Sequence, residues 1–109
     1  CGFDHNLSHC EEALKLGLVD EIVKFSEIKK CDMIFLAIPV EAIISVLQNL
    51  TDIPKETTIV DLGSTKEKII QSVPKEIRSN FIAAHPMTGT EKFGPSAAVE
   101  DLYHDSIVV

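Results

Sequence analysis

The chain has 109 residues, enough for one domain with a single core. Apolar residues make up 45% and charged residues 25%, both ordinary for a soluble globular domain. The formal net charge of −7 repels phosphates and so argues against nucleic-acid binding; an anionic ligand would have to be met by local cations or helix N-termini.

In chain order, Cys1-Gly2-Phe3-Asp4 reads as the last residues of a strand. Asn6 or Ser8 can cap a helix holding Cys10, Ala13 and Leu14, and Gly17 suits its C′ position. Met33-Ile34-Phe35-Leu36-Ala37-Ile38 is a continuous apolar run, which predicts a strand buried on both faces of a parallel sheet. Pro39 ends it. Val40, Ile43, Ile44 and Leu47 then recur at helical spacing and predict a helix with one apolar face. Residues Asp52 to Glu56, with Pro54, read as a loop.

A second cycle begins with the strand Thr57–Asp61. A helix from about Thr65 should turn Ile69, Ile70 and Val73 inward and stop at Pro74. Phe81–Ala84 is a third strand, and Ser106–Val109 is expected to be a fourth. Strands alternating with helices at this spacing mean βαβ units and a parallel sheet. A nucleotide-binding domain of this class opens with a strand, a Gly-rich turn and a helix, and the sequence has no G-x-G-x-x-G. The expectation is therefore an α/β, Rossmann-like parallel sheet with helices on both faces, lacking the first βα unit.

The three cysteines, Cys1, Cys10 and Cys31, form no spaced disulfide framework, so reduced thiols and a cytoplasmic location are expected. Cys31 reads as a small buried apolar residue. No signal peptide is visible at the start. No apolar run approaches the roughly 20 residues that span a bilayer. Cys1, His5, His9 and Cys10 contain an H-x-x-x-H pair, but the cysteine spacing fits no standard zinc site, so no metal is expected.

Three polar or Gly/Pro-marked clusters follow the C-terminal ends of three predicted strands, the edge where open parallel sheets bind ligands. They are Ala37-Ile38-Pro39-Val40, Asp61-Leu62-Gly63-Ser64-Thr65-Lys66 and His85-Pro86-Met87-Thr88-Gly89-Thr90-Glu91. His85 at a strand end could exchange a proton near neutral pH, or simply bond a neighbouring loop. Ser64 fits the capping box Ser64-Thr65-Lys66-Glu67 as well as a site, and Gly63 leaves room for a ligand to approach. Lys66 and Lys68 read as solvated charges. Asp4, at the end of the first strand, could hold the ribose hydroxyls of a dinucleotide.

Together with Phe3-Asp4-His5-Asn6, these clusters resemble the nucleotide-binding domain of prephenate dehydrogenases along essentially the whole chain. The chain has Thr88 where that family usually has Ala. The resemblance implies NAD-dependent oxidative decarboxylation of prephenate to 4-hydroxyphenylpyruvate, in tyrosine biosynthesis. It implies that His85 handles the hydroxyl proton and that Ser64 orients His85 and touches substrate. Asp4, Ala37, Ile38, Pro39 and Gly63 would contact the cofactor, and Thr90 and Glu91 would shape the substrate entrance. It further implies a homodimeric parent, with a C-terminal helical dimerisation domain beyond residues 1–109 that supplies an arginine for the substrate carboxylate. An arogenate dehydrogenase, or a related NAD(P) dehydrogenase, is the near alternative. A non-catalytic interaction module is the distant one, since an unpaired first strand leaves a sheet edge open to another chain.

Overall fold

The computed structural model describes residues 1–85, 94–98 and 100. Three strands, β1 (Met33–Leu36), β2 (Thr58–Asp61) and β3 (Phe81–Ala83), form one parallel sheet in that order. The helices are α1 (Leu7–Lys15), α2 (Phe25–Ile28), α3 (Val40–Gln48) and α4 (Lys66–Gln71). A 3₁₀ turn, Lys75–Asn80, leads into β3. Gly2 forms an isolated parallel bridge with Ile22, so the opening stub is paired, though not to β1. The expected fourth strand, residues 106–109, lies outside the described residues. No helix among the described residues is long and apolar enough to cross a membrane.

Helix α1 starts and stops as its sequence demands. The Asn6 side chain accepts hydrogen bonds from the Ser8 and His9 backbone N–H groups. Gly17 takes a φ of 71°, and the Gly17 and Leu18 N–H groups donate to Leu14 and Ala13 carbonyls, closing the helix end. Cys10 is buried beneath α1, whereas Leu14 is exposed. Asn6→Ala is expected to cost about 1 kcal/mol, measurable by urea unfolding.

The core lies on one side of the sheet. Ile43 and Leu47 of α3, Ile69 of α4, Ile59 of β2, and Leu50 and Ile77 are fully buried there with Ile34 and Leu36. Cys31 is half-buried and packs against this cluster. Both crossovers run in the same direction across the sheet, and right-handed crossovers in one direction put their helices on one face. The expectation that β1 is buried on both faces therefore fails among the described residues: Ile34 and Leu36 face the core, while Met33 and Phe35 are exposed. Ile82 of β3 is exposed as well.

The second helix also departs from expectation. Thr65, not Ser64, is the N-cap of α4, and no side chain caps it. Ile70 points to solvent, and the helix ends at Gln71 rather than at Pro74. Pro74 instead begins the 3₁₀ turn, whose last residue, Asn80, is buried. The Asn80 amide donates to the carbonyls of Pro54, Lys55 and Thr57, which fixes the loop before β2. Lys29 and Asp52 form an ion pair at 2.6 Å across the surface; hydrogen bonding from Lys29 holds the Asp52 carboxyl below its ordinary range.

Candidate functional site

The sheet register sets the geometry of the site. Leu36, Asp61 and Ala83 form one row across the three strands. One residue further, the Leu62 N–H donates to the Leu36 carbonyl at 3.1 Å, and the Ala84 N–H donates to the Asp61 carbonyl at 2.9 Å. The chain therefore leaves all three strands in step, at Ala37-Ile38-Pro39, Gly63-Ser64 and His85. With strands spaced about 4.8 Å apart, these ends lie within about 10 Å of one another across the edge. Ser64 and His85 are both exposed there, and no hydrogen bond joins them among the described residues. Thr90 and Glu91, read above as entrance residues, lie outside the described residues.

Gly63 has a structural duty of its own. A Cβ built at Gly63 would lie 2.8 Å from Ile69 Cδ1, 2.9 Å from Ile43 Cδ1 and 3.0 Å from Asp61 Oδ1. The space left by the missing side chain is thus filled by core residues. Because Ile43 and Ile69 are fully buried, they have little room to retreat. Gly63→Ala is expected to destabilise by about 2 kcal/mol, read as a lower urea midpoint.

Sequence reasoning missed the strongest polar feature beside this edge. Asp61 is fully buried, in the inward row with Ile59. Its Oδ2 pairs with Lys66 Nζ at 2.8 Å, and its Oδ1 accepts from the Gly63 N–H at 2.7 Å. Lys66 Nζ also donates to the Asp61 backbone carbonyl at 3.2 Å. Lys66 is therefore half-buried and structural, not the solvated charge expected. The signal was an acid at an inward-facing strand position with a lysine five residues on. Lys68 does stay at the surface, where it pairs with Glu41.

The first strand brings a second part of the site. A cavity of about 750 Å³ opens between the stub Cys1–Asp4 and β1. Asp4, Ala37, Ile38 and Pro39 line it together, so the stub's acid and the β1 turn share one space. Gly63, Ser64 and His85 stand outside that lining. The half-buried Asp4 carboxylate is held at both oxygens: Oδ1 accepts from the Asn6 N–H at 2.8 Å, and Oδ2 lies 3.3 Å from His9 Nδ1. His9 was weighed above only as a metal ligand; here it braces Asp4. His5 instead packs edge-on to the Phe3 ring, with centroids 5.5 Å apart.

This architecture has known counterparts. The family model for the prephenate dehydrogenase nucleotide-binding domain matches residues 1–109. The prephenate dehydrogenase of Bacillus subtilis is 32% identical over 114 residues, covering 99% of this chain and 31% of that relative. The cyclohexadienyl dehydrogenase of Zymomonas mobilis is 31% identical over 101 residues, covering 89% of this chain and 34% of that relative. The chain thus spans about a third of the length of these curated relatives. Among solved structures, the Aquifex aeolicus prephenate dehydrogenase in complex with hydroxyphenyl propionate and NAD+ superposes with a TM-score of 0.87 at 27% identity, over 98% of this chain and 39% of that one. The Synechocystis arogenate dehydrogenase superposes with a TM-score of 0.84 at 28% identity, over 98% of this chain and 39% of that one.

Proposed function

The chain belongs to the prephenate dehydrogenase family as its nucleotide-binding domain, and from that premise we propose that it is the NAD-holding part of a cytoplasmic, homodimeric enzyme that oxidatively decarboxylates prephenate to 4-hydroxyphenylpyruvate. The observation that carries this reading is the in-step exit of three parallel strands, which gathers the Ala37-Ile38-Pro39 turn, Gly63-Ser64 and His85 on one edge.

The residues present fit the cofactor. The Asp4 carboxylate is preset by Asn6 and His9 at a cavity shared with the Ala37-Ile38-Pro39 turn. In this reading Asp4 accepts hydrogen bonds from the adenosine ribose, and Ala37, Ile38, Pro39 and Gly63 give the cofactor a close, uncharged wall. Bound NAD supplies the hydride acceptor that no side chain can provide. His85 takes the proton of the ring hydroxyl, which raises electron density on that oxygen and eases hydride departure from its carbon. The bond to the ring carboxylate breaks, carbon dioxide leaves, and the electron pair completes the aromatic ring. His85 then returns its proton to the phenolic oxygen. Ser64 orients His85 and touches the substrate, and Thr90 and Glu91 shape the entrance. A C-terminal helical domain beyond residues 1–109 supplies the dimer contacts and the arginine for the substrate carboxylate.

The test is NADH formation by the full-length chain, with initial rates on prephenate and arogenate compared. Faster turnover of arogenate would favour the second reading, to which the Synechocystis neighbour points. Neither substrate giving NADH would sink both. Residues 1–109 alone are expected to give no measurable turnover with prephenate and NAD, because the helical domain's share of the site is not among them.

A further inference from the structure

The brace on Asp4 is itself a group that changes charge. His9 lies in the first turn of α1 with Nδ1 3.3 Å from Asp4 Oδ2. A carboxylate only accepts hydrogen bonds, so Nδ1 carries the hydrogen between them. In the neutral ring Nε2 is then a bare lone pair, an acceptor. Protonation turns Nε2 into a donor and makes the ring cationic, while the bond to Asp4 stays in place. Nε2 is also kept clear. It lies beside Gly94, where φ is 80°. A Cβ built at Gly94 would come 3.3 Å from Nε2, and its next neighbours, at 3.7 Å, are two carbons of the same ring. A side chain there would stand over the nitrogen, and glycine leaves it open. Asp4, His9 and Gly94 all line the cavity that holds the Ala37-Ile38-Pro39 turn. Among the described residues lining it, Asp4 is the one carboxylate, and His5 and His9 are the only side chains that become cationic; no lysine or arginine is present. The Cys1 and Cys31 thiols sit together at the other end of the stub. Helices α2 and α3, strand β1 and Pro95 bring no charged side chain to it. The Cys10 thiol donates to the Asp4 carbonyl, and Glu12 stands one turn further along α1. His5 is turned edge-on to Phe3, which leaves His9 as the imidazole on the acid.

We propose that His9 sets which dinucleotide the Asp4 end of the site accepts: the neutral ring selects the bare ribose of NAD, and the protonated ring admits the 2′-phosphate of NADP. The inference rests on the cofactor role given to Asp4 above. A lone carboxylate at this place bonds the ribose hydroxyls and repels a 2′-phosphate, which dinucleotide-binding folds otherwise accommodate with an arginine. Here His9 supplies the cation. With the ring neutral, the Asp4–His9 pair carries one negative charge, and Nε2 accepts from a hydroxyl but repels a phosphate oxygen. With the ring protonated, the pair is neutral overall and Nε2 offers a charge-assisted N–H to that oxygen. Both groups are part-exposed, so solvent and salt weaken the effect without changing its sign. The preference for NAD over NADP therefore falls as the pH falls.

Binding, not turnover, tests this. NADH and NADPH are titrated into the full-length chain by fluorescence at about pH 8.5 and about pH 6, the range over which imidazoles change charge, at constant ionic strength. The ratio of the two Kd values cancels any change in the Asp4 carboxylate that both ligands feel. The preference for NADH over NADPH is expected to shrink about tenfold at the lower pH, the worth of one charge-assisted hydrogen bond discounted for a part-exposed site. The 2′-phosphate takes up a proton of its own in the same range, so part of the shift belongs to the ligand. His9→Gln should keep that part and lose the rest, whereas His5→Gln should shift as the unsubstituted chain does. A preference equal at the two pH values overturns the inference, and so does a His9→Gln chain with the full shift. A shift abolished by His5→Gln hands the role to the wrong imidazole and overturns it too. NADH that binds at neither pH removes the cofactor role of Asp4 and this inference with it; NADH that binds with an unchanging ratio removes the inference alone.

Discussion

His85→Asn in the full-length chain is expected to lower kcat with prephenate by about 10³-fold, within the range that positioned acid–base groups contribute. The NAD affinity should barely move. Asparagine approximates the shape and polarity of the imidazole but cannot take up a proton, so the substitution removes chemistry more than structure. His85 is exposed at the end of β3, directly after the buried Ala84, whose N–H is bonded to Asp61. The backbone that carries it is thus fixed by the sheet ladder and not by the imidazole, and the fold should tolerate the change. Stopped-flow rates and NAD titration on the same preparation separate the two effects. Near-normal kcat would defeat the assignment of His85; a parallel loss of NAD affinity would recast it as a cofactor-binding group.

Lys66→Met is expected to destabilise the chain by about 3 kcal/mol. The reason is asymmetry of burial. The Asp61 side chain is 0% exposed and that of Lys66 25% exposed, so losing the lysine strands a carboxylate that water cannot reach. The remaining bond from the Gly63 N–H satisfies one oxygen only. Asp61→Asn alone should cost less, because the neutral amide still accepts from Gly63 and the lysine can turn toward solvent. The double variant Lys66→Met/Asp61→Asn should recover at least half of the loss, since it buries no charge. Urea midpoints at constant m-value measure all three. A double variant no better than Lys66→Met would mean that packing of the lysine stem, not the charge, holds the turn.

Hydrophobic pattern made most of the scaffold legible. The run from Met33, the i, i+3, i+4, i+7 set from Val40 and the strand before Gly63 were found because burial writes itself into spacing. What pattern could not see was coverage. A continuous apolar run reports that both faces of a strand are apolar, but not whether the helix for each face lies within the same residues. Met33 and Phe35 were misread for that reason. The bridge at Ile22 was too short to carry a period, and the 3₁₀ turn before Asn80 has none of the helical spacing. At the site, the strand-end clusters were legible because their residue types are unusual. The bracing of Asp4 by His9, and of Asp61 by Lys66, was not, since both depend on how a turn folds back on its strand. At Ser64 the box Ser64-Thr65-Lys66-Glu67 points to a cap one residue too early: the helix starts after Thr65, whose N3 residue is Lys68, and no side chain caps it.

The buried acid of β2 has one more consequence. Side chains alternate along a strand, so a slip of one residue between β1 and β2 would exchange the inward and outward rows. Apolar residues alone would penalise that weakly, because Val60 and Leu62 could stand in for Ile59. Asp61 could not: turned outward, it would abandon Lys66 and the Gly63 N–H together. The pair therefore favours the alignment in which the strands end level over one shifted by a single residue.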